Sequence, residues 1–378
     1  PDGTQTVEEL FADANGANAA VNAAYERLCL LSAGEHAILQ RVEEKSDNAF
    51  HARADLGWKR YQETSTTLGI ADNWAAFYAC IQRSNTVLNR LDGVKFTAAE
   101  RGARLPESIE GQALFLRALS YFWLVQLWGD VPLYTQEITR PDQEYEARAS
   151  SKDVYDQIKK DLEAATGKLP LKTALTNAKG FEKFRASRGA AYALRAEVHL
   201  VLGEWQQAAD AAKAAIDGKE FSLYAAADYA KNFQGRDENG AESVFEIQFT
   251  DNTLGRGSIL NTWYGLPGVV QGNGRYGSPT TDDAQTMTNF PGIRGDGLVQ
   301  AFEPGDARRA VALTTHNNAR NPVDATKPPF WMCNKYFVGT TYPPESRSAV
   351  NVPLLRYAKV LLTRAEANGL LVSANDEA

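Results

Sequence analysis

The side chains of this sequence best suited to binding chemistry are aromatic. Trp263, Tyr264 and Tyr276 fall in a stretch, 250–350, that holds twelve of the 29 glycines and nine of the 15 prolines. Trp331, Tyr336 and Tyr342 follow them there. Trp58, Tyr61 and Trp74 form an earlier group, close in sequence to Asp47, Asn48, Arg53 and Asn73. A flat, rigid ring offers apolar contact to the C–H face of a cyclic ligand, and a few amide, carboxylate or guanidinium groups hydrogen-bond its hydroxyls. Such a set binds without breaking bonds. Packing in the core or between loops is the competing role for each ring, above all for Trp74, which opens a helical pattern. Trp123, Trp128 and Trp205 read as packing residues.

Bond-making constellations are sparse. His36, His51, His199 and His316 share no metal-ligand spacing, and none belongs to an HExxH pattern. Asp282-Asp283 and Glu43-Glu44 are adjacent pairs that read as solvated charges. Two carboxylates distant in sequence could still converge as in a glycosidase, so an all-α glycoside hydrolase stays open as an alternative. Cys29, Cys80 and Cys333 are odd in number and lack CxxC spacing, which supports neither a disulfide framework nor a zinc site. Cys29 and Cys80 sit in apolar helical stretches, as buried thiols do. No cofactor is expected.

A net charge of -7 over 378 residues, with no uninterrupted Lys/Arg cluster, argues against a nucleic-acid partner. The richest basic group, 294–309, is interrupted by Asp296, Glu303 and Asp306. The most apolar run, 113–128, contains Arg117, Ser120 and Gln126 and ends before Gly129, so it reads as a buried helix and not as a membrane span. The sequence opens on Pro1 and stops soon after a helical pattern begins, which reads as a chain cropped at both ends.

Helices must position these rings. Trp74, Phe77, Tyr78, Ile81, Leu88 and Leu91 recur at helical spacing. Leu114, Ala118, Tyr121, Val125 and Trp128 do the same, while Phe115, Leu119, Phe122, Trp123 and Leu127 cover the other faces. A helix apolar nearly all round predicts a central strut. Residues 151–169 read as an amphipathic helix capped by Ser151, and 129–150 as a long insertion before it. Residues 188–217 form the clearest pattern: a helix with Ala190, Ala193, Leu194, Glu197 and Leu200, a turn at Gly203-Glu204-Trp205, and a second helix with Ala208, Ala209, Ala212 and Ala215. Small residues there let two helices approach closely, as in a tetratricopeptide repeat. A helical hairpin without repeat kinship is the alternative. Weaker self-similarity pairs 18–40 with 74–91 and 107–128 with 151–169, and 352–371 reads as the first helix of a further pair. A short strand is expected at 244–249. The expectation is an all-α fold: a tetratricopeptide-like helical repeat scaffold over 1–240, a long irregular loop region over 241–350 with minor short strands, and a further repeat beginning at 351–378, all in one domain.

Within this pattern, 110–133 reads Glu-Gly-Gln-Ala-Leu-Phe-Leu-Arg-Ala-Leu-Ser-Tyr-Phe-Trp-Leu-Val-Gln-Leu-Trp-Gly-Asp-Val-Pro-Leu. It closely resembles the signature of SusD/RagB proteins, in which a Glu-started helix with Leu-Arg-Ala and Tyr-Phe ends in Gly-Asp-Val-Pro-Leu. Trp74-Ala-Ala-Phe-Tyr78 with Ile81, Arg83 and Asn85 is similar to the family's preceding helix, and 190–216 to its clearest repeat. Glu242-Ser-Val-Phe-Glu-Ile247 resembles its short strand, Tyr276-Gly-Ser-Pro-Thr280 its aromatic turn, and Gly305-Asp306-Ala307-Arg308-Arg309 its Asp-x-Arg element. The stretch 352–367 resembles a late repeat helix.

The resemblance implies a non-catalytic surface protein that binds an oligosaccharide or polysaccharide and delivers it to a SusC-like TonB-dependent transporter. It implies an N-terminal lipid anchor on the extracellular face of the outer membrane, although the signal and lipobox cysteine of the family are absent here. It also implies a site that joins N-terminal residues to later loops. The expected ligand-binding set is therefore Trp58, Trp74, Asp47, Arg53 and Asn73 on one side, with Trp263, Tyr264 and Tyr276 on the other. A repeat scaffold that binds peptides or proteins is the remaining alternative.

Overall fold

The computed structural model describes residues 6–30, 38, 42, 61–67, 69–176, 178–250, 257–258, 302–316, 330–333, 335 and 348–376. Among the described residues seven main helices follow one another: α1 (Ala14–Cys29), α2 (Ile70–Arg90), α3 (Leu105–Trp128), α4 (Ser151–Lys168), α5 (Arg188–Val201), α6 (Trp205–Asp217) and α7 (Tyr357–Asp376). Each packs against the next, and α1, α3, α5 and α7 also touch one another in that order. Paired helices stacked with their first members in contact are the geometry of a helical repeat, in which each pair buries the face its neighbour leaves open. The all-α expectation agrees with this, as do the pairings read from the sequence, of which the first is seen for 18–29 against α2 while most of 31–40 lies outside the described residues.

The strut is α3. Its buried residues include Ile109, Leu116, Ala118, Leu119, Tyr121 and Leu124 on several faces, so no side of its middle meets solvent. Phe115, packed edge-on to Phe245 at 4.9 Å, joins it to the strand region. Gly111 is required by packing, since a Cβ there would lie 2.9 Å from Leu169 Cγ. Gly129, at φ +71, ends the helix in a conformation that a side chain would resist.

Among the described residues three antiparallel two-stranded ribbons decorate the helices: β1 (Val131–Pro132) with β2 (Arg148–Ala149), β3 (Ser243–Ile247) with β6 (Val352–Arg356), and β4 (Leu313–His316) with β5 (Phe330–Cys333). The strand expected at 244–249 is β3. The helix expected over 352–371 is corrected at its start, because residues 352–356 pair with β3 and α7 begins only at Tyr357. Pro353 and a partner more than a hundred residues away override the local helical spacing. Another shift is small: Ser150, not Ser151, caps α4, its hydroxyl accepting from Asp153 N at 3.2 Å. Cys80 is buried as expected; Cys29 is half-buried, with its Sγ donating to Gln248 O at 3.3 Å.

Candidate functional site: an aromatic cleft under the 129–150 insertion

The insertion between α3 and α4 does not rest on apolar contact alone. Side chains from α2 and α3 reach out and hold its backbone. Tyr78 donates its hydroxyl to Pro132 O at 2.7 Å, and Asn85 Nδ2 donates to Tyr134 O and Gln136 O, both at 3.0 Å. The Tyr121 hydroxyl accepts from Tyr134 N at 2.6 Å and lies 3.0 Å from Tyr134 O. Gln82 Oε1 accepts from Ile138 N at 3.4 Å, and Arg90 grips Glu137 through Nε at 2.8 and 2.9 Å.

Behind these contacts lies Arg117. Its guanidinium forms a fork with Asp161 of α4, 2.7 Å on each side, while Nη1 donates to Asn85 Oδ1 at 2.8 Å and Thr135 O at 3.1 Å. Side-chain exposure of 6% and 2% makes this a desolvated pair, stable only because the remaining hydrogen-bonding capacity is met; Gln157 Nε2 also donates to Asp161 Oδ1 at 2.7 Å. Asp130 closes the other end of the insertion, its Oδ1 accepting from both Ser151 N and Ser151 Oγ at 2.7 Å. Those bonds hold its carboxyl below the usual range. Burial pushes the Tyr78 and Tyr121 hydroxyls up, so both stay protonated donors at any physiological pH.

The held insertion and α2 enclose an open cleft of ≈ 450 Å³. Trp74, Tyr78 and Gln82 supply the helix wall; Pro132, Tyr134 and Ile138 face them, and Glu144, Tyr145 and Glu146 form the rim. The rings are coupled. Trp74 lies 4.9 Å from Tyr78 and meets Trp128 edge-on at 5.4 Å; Tyr78 meets Tyr134 edge-on at 5.8 Å. Tyr134 fixes the rim in turn, donating to Glu144 O at 2.6 Å and accepting from Glu146 N at 3.3 Å. Tyr145 is 87% exposed, with no ring contact among the described residues. Gln82 Nε2 is buried and has no hydrogen-bond partner among the described residues. Aromatic faces with a few acceptors at the rim can hold a hydroxylated ring; among the described residues no His/Cys/Asp/Glu group could hold a metal ion.

Of the expected site residues, Trp74 is in this cleft. Asn73, its neighbour, turns inward: it is 2% exposed, its Oδ1 accepting from Ile38 N at 3.0 Å and its Nδ2 donating to Gly69 O at 2.5 Å. It ties the backbone before α2 to the helix start, which is a structural role. Trp58, Trp263, Tyr264, Tyr276, Asp47 and Arg53 lie outside the described residues. Sequence reasoning did not select Tyr78, Gln82, Tyr134, Glu144, Tyr145 or Glu146. A signal was present, since Tyr134 and Tyr145 sit in a polar, Pro-containing insertion with no helical period to bury them.

A stack of paired helices that uses polar side chains to hold an aromatic cleft defines a repeat scaffold adapted to binding. The chain belongs to the SusD-like family: the family model described as "Starch-binding associating with outer membrane" matches residues 6–200. It is similar to two SusD-like proteins of Formosa agariphila, P38 (24% identical, 78% of this chain and 58% of that protein) and P2 (24% identical, 100% and 75%). The chain thus spans little more than half the length of P38. Two solved structures share the fold: a laminarin binding SusD-like protein (TM-score 0.74, 21% identity, 93% of this chain and 80% of that one) and a SusD superfamily protein from Parabacteroides distasonis (TM-score 0.75, 24% identity, 94% and 75%). Among the described residues no helix is long and apolar enough to cross a membrane.

Proposed function

We propose that this protein binds oligosaccharides or polysaccharides at the outer face of the outer membrane, without cleaving them, and passes them to a SusC-like TonB-dependent transporter. The observation that carries this reading is the exposed Tyr145 beside the half-buried Trp74–Tyr78 pair, a set of ring faces open to one cleft. Membership of a family described as starch-binding and outer-membrane-associated supports the ligand class and the location. A lipid-modified N-terminal cysteine in the natural full-length protein is part of the proposal. So is a wider site in which Trp58, Asp47, Arg53, Trp263, Tyr264 and Tyr276 extend the surface that Trp74 begins.

Glu144 and Glu146 are the observation that favours a hydrolase instead, because two carboxylates flank the cleft. Both are exposed, however, whereas a glycosidase keeps its acid protonated by burial. Titration calorimetry over a panel of oligosaccharides, run beside a reducing-end assay, tests the reading. Binding without release of reducing ends is expected. Turnover that disappears when one rim carboxylate is changed would establish the hydrolase. For the partner, the full-length protein extracted from outer membrane should co-purify with the transporter, and its recovery from the cytoplasm would refute that part.

A further inference from the structure

We infer that the Trp74 cleft admits glycans that lack anionic groups and excludes uronates and sulfate esters, with Glu144 and Glu146 setting the exclusion. This rests on the glycan-binding reading above.

The carboxylates around the insertion fall into two kinds. Glu137 is held by Arg90, Asp142 by Arg140, Asp130 by Ser151 and Asp153 by Ser150. These are used up by the fold. Glu144 and Glu146 are exposed on the cleft rim and have no side-chain partner among the described residues. Their place is fixed all the same, because the Tyr134 hydroxyl bonds the backbone of both. An ionised carboxylate only accepts hydrogen bonds, so each can take hydroxyl donors from a sugar and neither can donate to an acid group.

The rest of the wall gives an anion nothing in return. No Lys or Arg lines the cleft among the described residues. Arg148, on β2, is exposed and close enough to act on the Tyr78 hydroxyl, but it is not part of the wall. Gln82 Nε2, buried at the helix wall with its partner Oε1 fixed by Ile138 N, is a neutral donor without an acceptor. Being neutral and buried, it does not restore the missing positive charge. A uronate placed against Trp74 would therefore meet two like charges at the rim, with Arg148 behind Pro132 and Tyr78 as the one nearby counter-charge among the described residues and none on the wall itself. Unpaired like charge is how binding sites reject a competitor of the same shape.

The test uses one backbone in two charge states. Titration calorimetry at low ionic strength compares fully methyl-esterified and de-esterified oligogalacturonides, and mannan with mannuronan oligosaccharides, on the wild-type protein and on Glu144→Gln/Glu146→Gln. The glutamines keep size and hydrogen bonding and remove charge. On a backbone that binds, the charged form should be at least about tenfold weaker on the wild type, as expected for like charges brought within a few ångströms near a surface. The variant should narrow that gap to less than about threefold, with an unchanged melting temperature because both side chains are exposed. Equal or tighter binding of the charged form by the wild type overturns the inference and leaves glycan binding standing. So does a gap that survives in the variant. If the wild-type protein binds no member of a broad neutral and anionic panel, the glycan-binding reading falls and this inference falls with it.

Discussion

Between α5 and α6 the helices meet through alanines, whereas between α2 and α3 polar side chains do much of the work. Ala190 and Ala193 of α5 share the main core with Ala211, Ala212 and Ala215 of α6, and Ala208 and Ala209 pack with Ala367 of α7 beside the half-buried Leu200 and Leu371. Close approach leaves no room there for anything but the repeat. At the other end, Tyr78, Asn85, Arg117 and Tyr121 are aimed at the backbone of the inserted segment. Because those bonds go to backbone groups, the side chains of the insertion remain free to face the cleft. The same scaffold thus has one region specialised for stacking and another that holds the candidate cleft.

The largest effect expected from breaking this contrast is at Arg117. Arg117→Met leaves the Asp161 carboxylate buried with Gln157 as its remaining partner, and should cost about 3–5 kcal/mol in urea denaturation. Ligand affinity should fall too, since Asn85 and Thr135 lose their anchor. A loss under about 1 kcal/mol would mean the pair is more hydrated than its geometry implies. Next is Ala212→Leu in the alanine region, where overpacking should cost about 1–3 kcal/mol while the folded fraction binds ligand as before. A change in affinity here would show that the two regions are coupled.

Tyr121→Phe is expected to be milder, about 1 kcal/mol by thermal denaturation, since it removes one hydroxyl from a backbone pair. Its signature is a weaker affinity out of proportion to the stability change. The last effect is a pH dependence, which appears only in alkaline solution. Lys172 holds the segment after α4 to β3, donating to Gly240 O at 2.7 Å and to Ser243 O. Burial pushes its ammonium down to about 8. The unfolded chain therefore keeps this proton to higher pH than the folded one, so stability rises as pH climbs from about 8 toward the ordinary lysine range, and the burial penalty is fully present below that window. Lys172→Met should flatten the rise in a series of denaturation curves; an identical slope in the variant would assign it to other groups.

How much of this was legible beforehand depends on the range of the contact. The strut could be read because α3 is apolar on every face, and the α5–α6 hairpin because alanine spacing and Gly203 are local signals. The start of α7 could not, since Val352 and Leu355 are strand residues only by virtue of β3, far away in sequence. The cleft was half visible. Trp74 stood out as an aromatic next to polar residues, yet its neighbour Asn73 looked equally available and is buried in backbone bonds. Tyr134 and Tyr145 carried only the weaker signal of aromatic residues in an irregular insertion. What makes them a site is the set of bonds from α2 and α3, and those depend on tertiary placement.

The central claim is that the cleft beside Trp74 is where ligand binds. Tyr145→Ala tests it most directly, because a side chain 87% exposed contributes almost nothing to the core. Titration calorimetry with a bound oligosaccharide should show affinity reduced about tenfold or more, the scale of losing an aromatic contact at a binding hot spot, with the melting temperature unchanged. Unaltered affinity in the folded variant would contradict the account and move the site away from the 129–150 insertion.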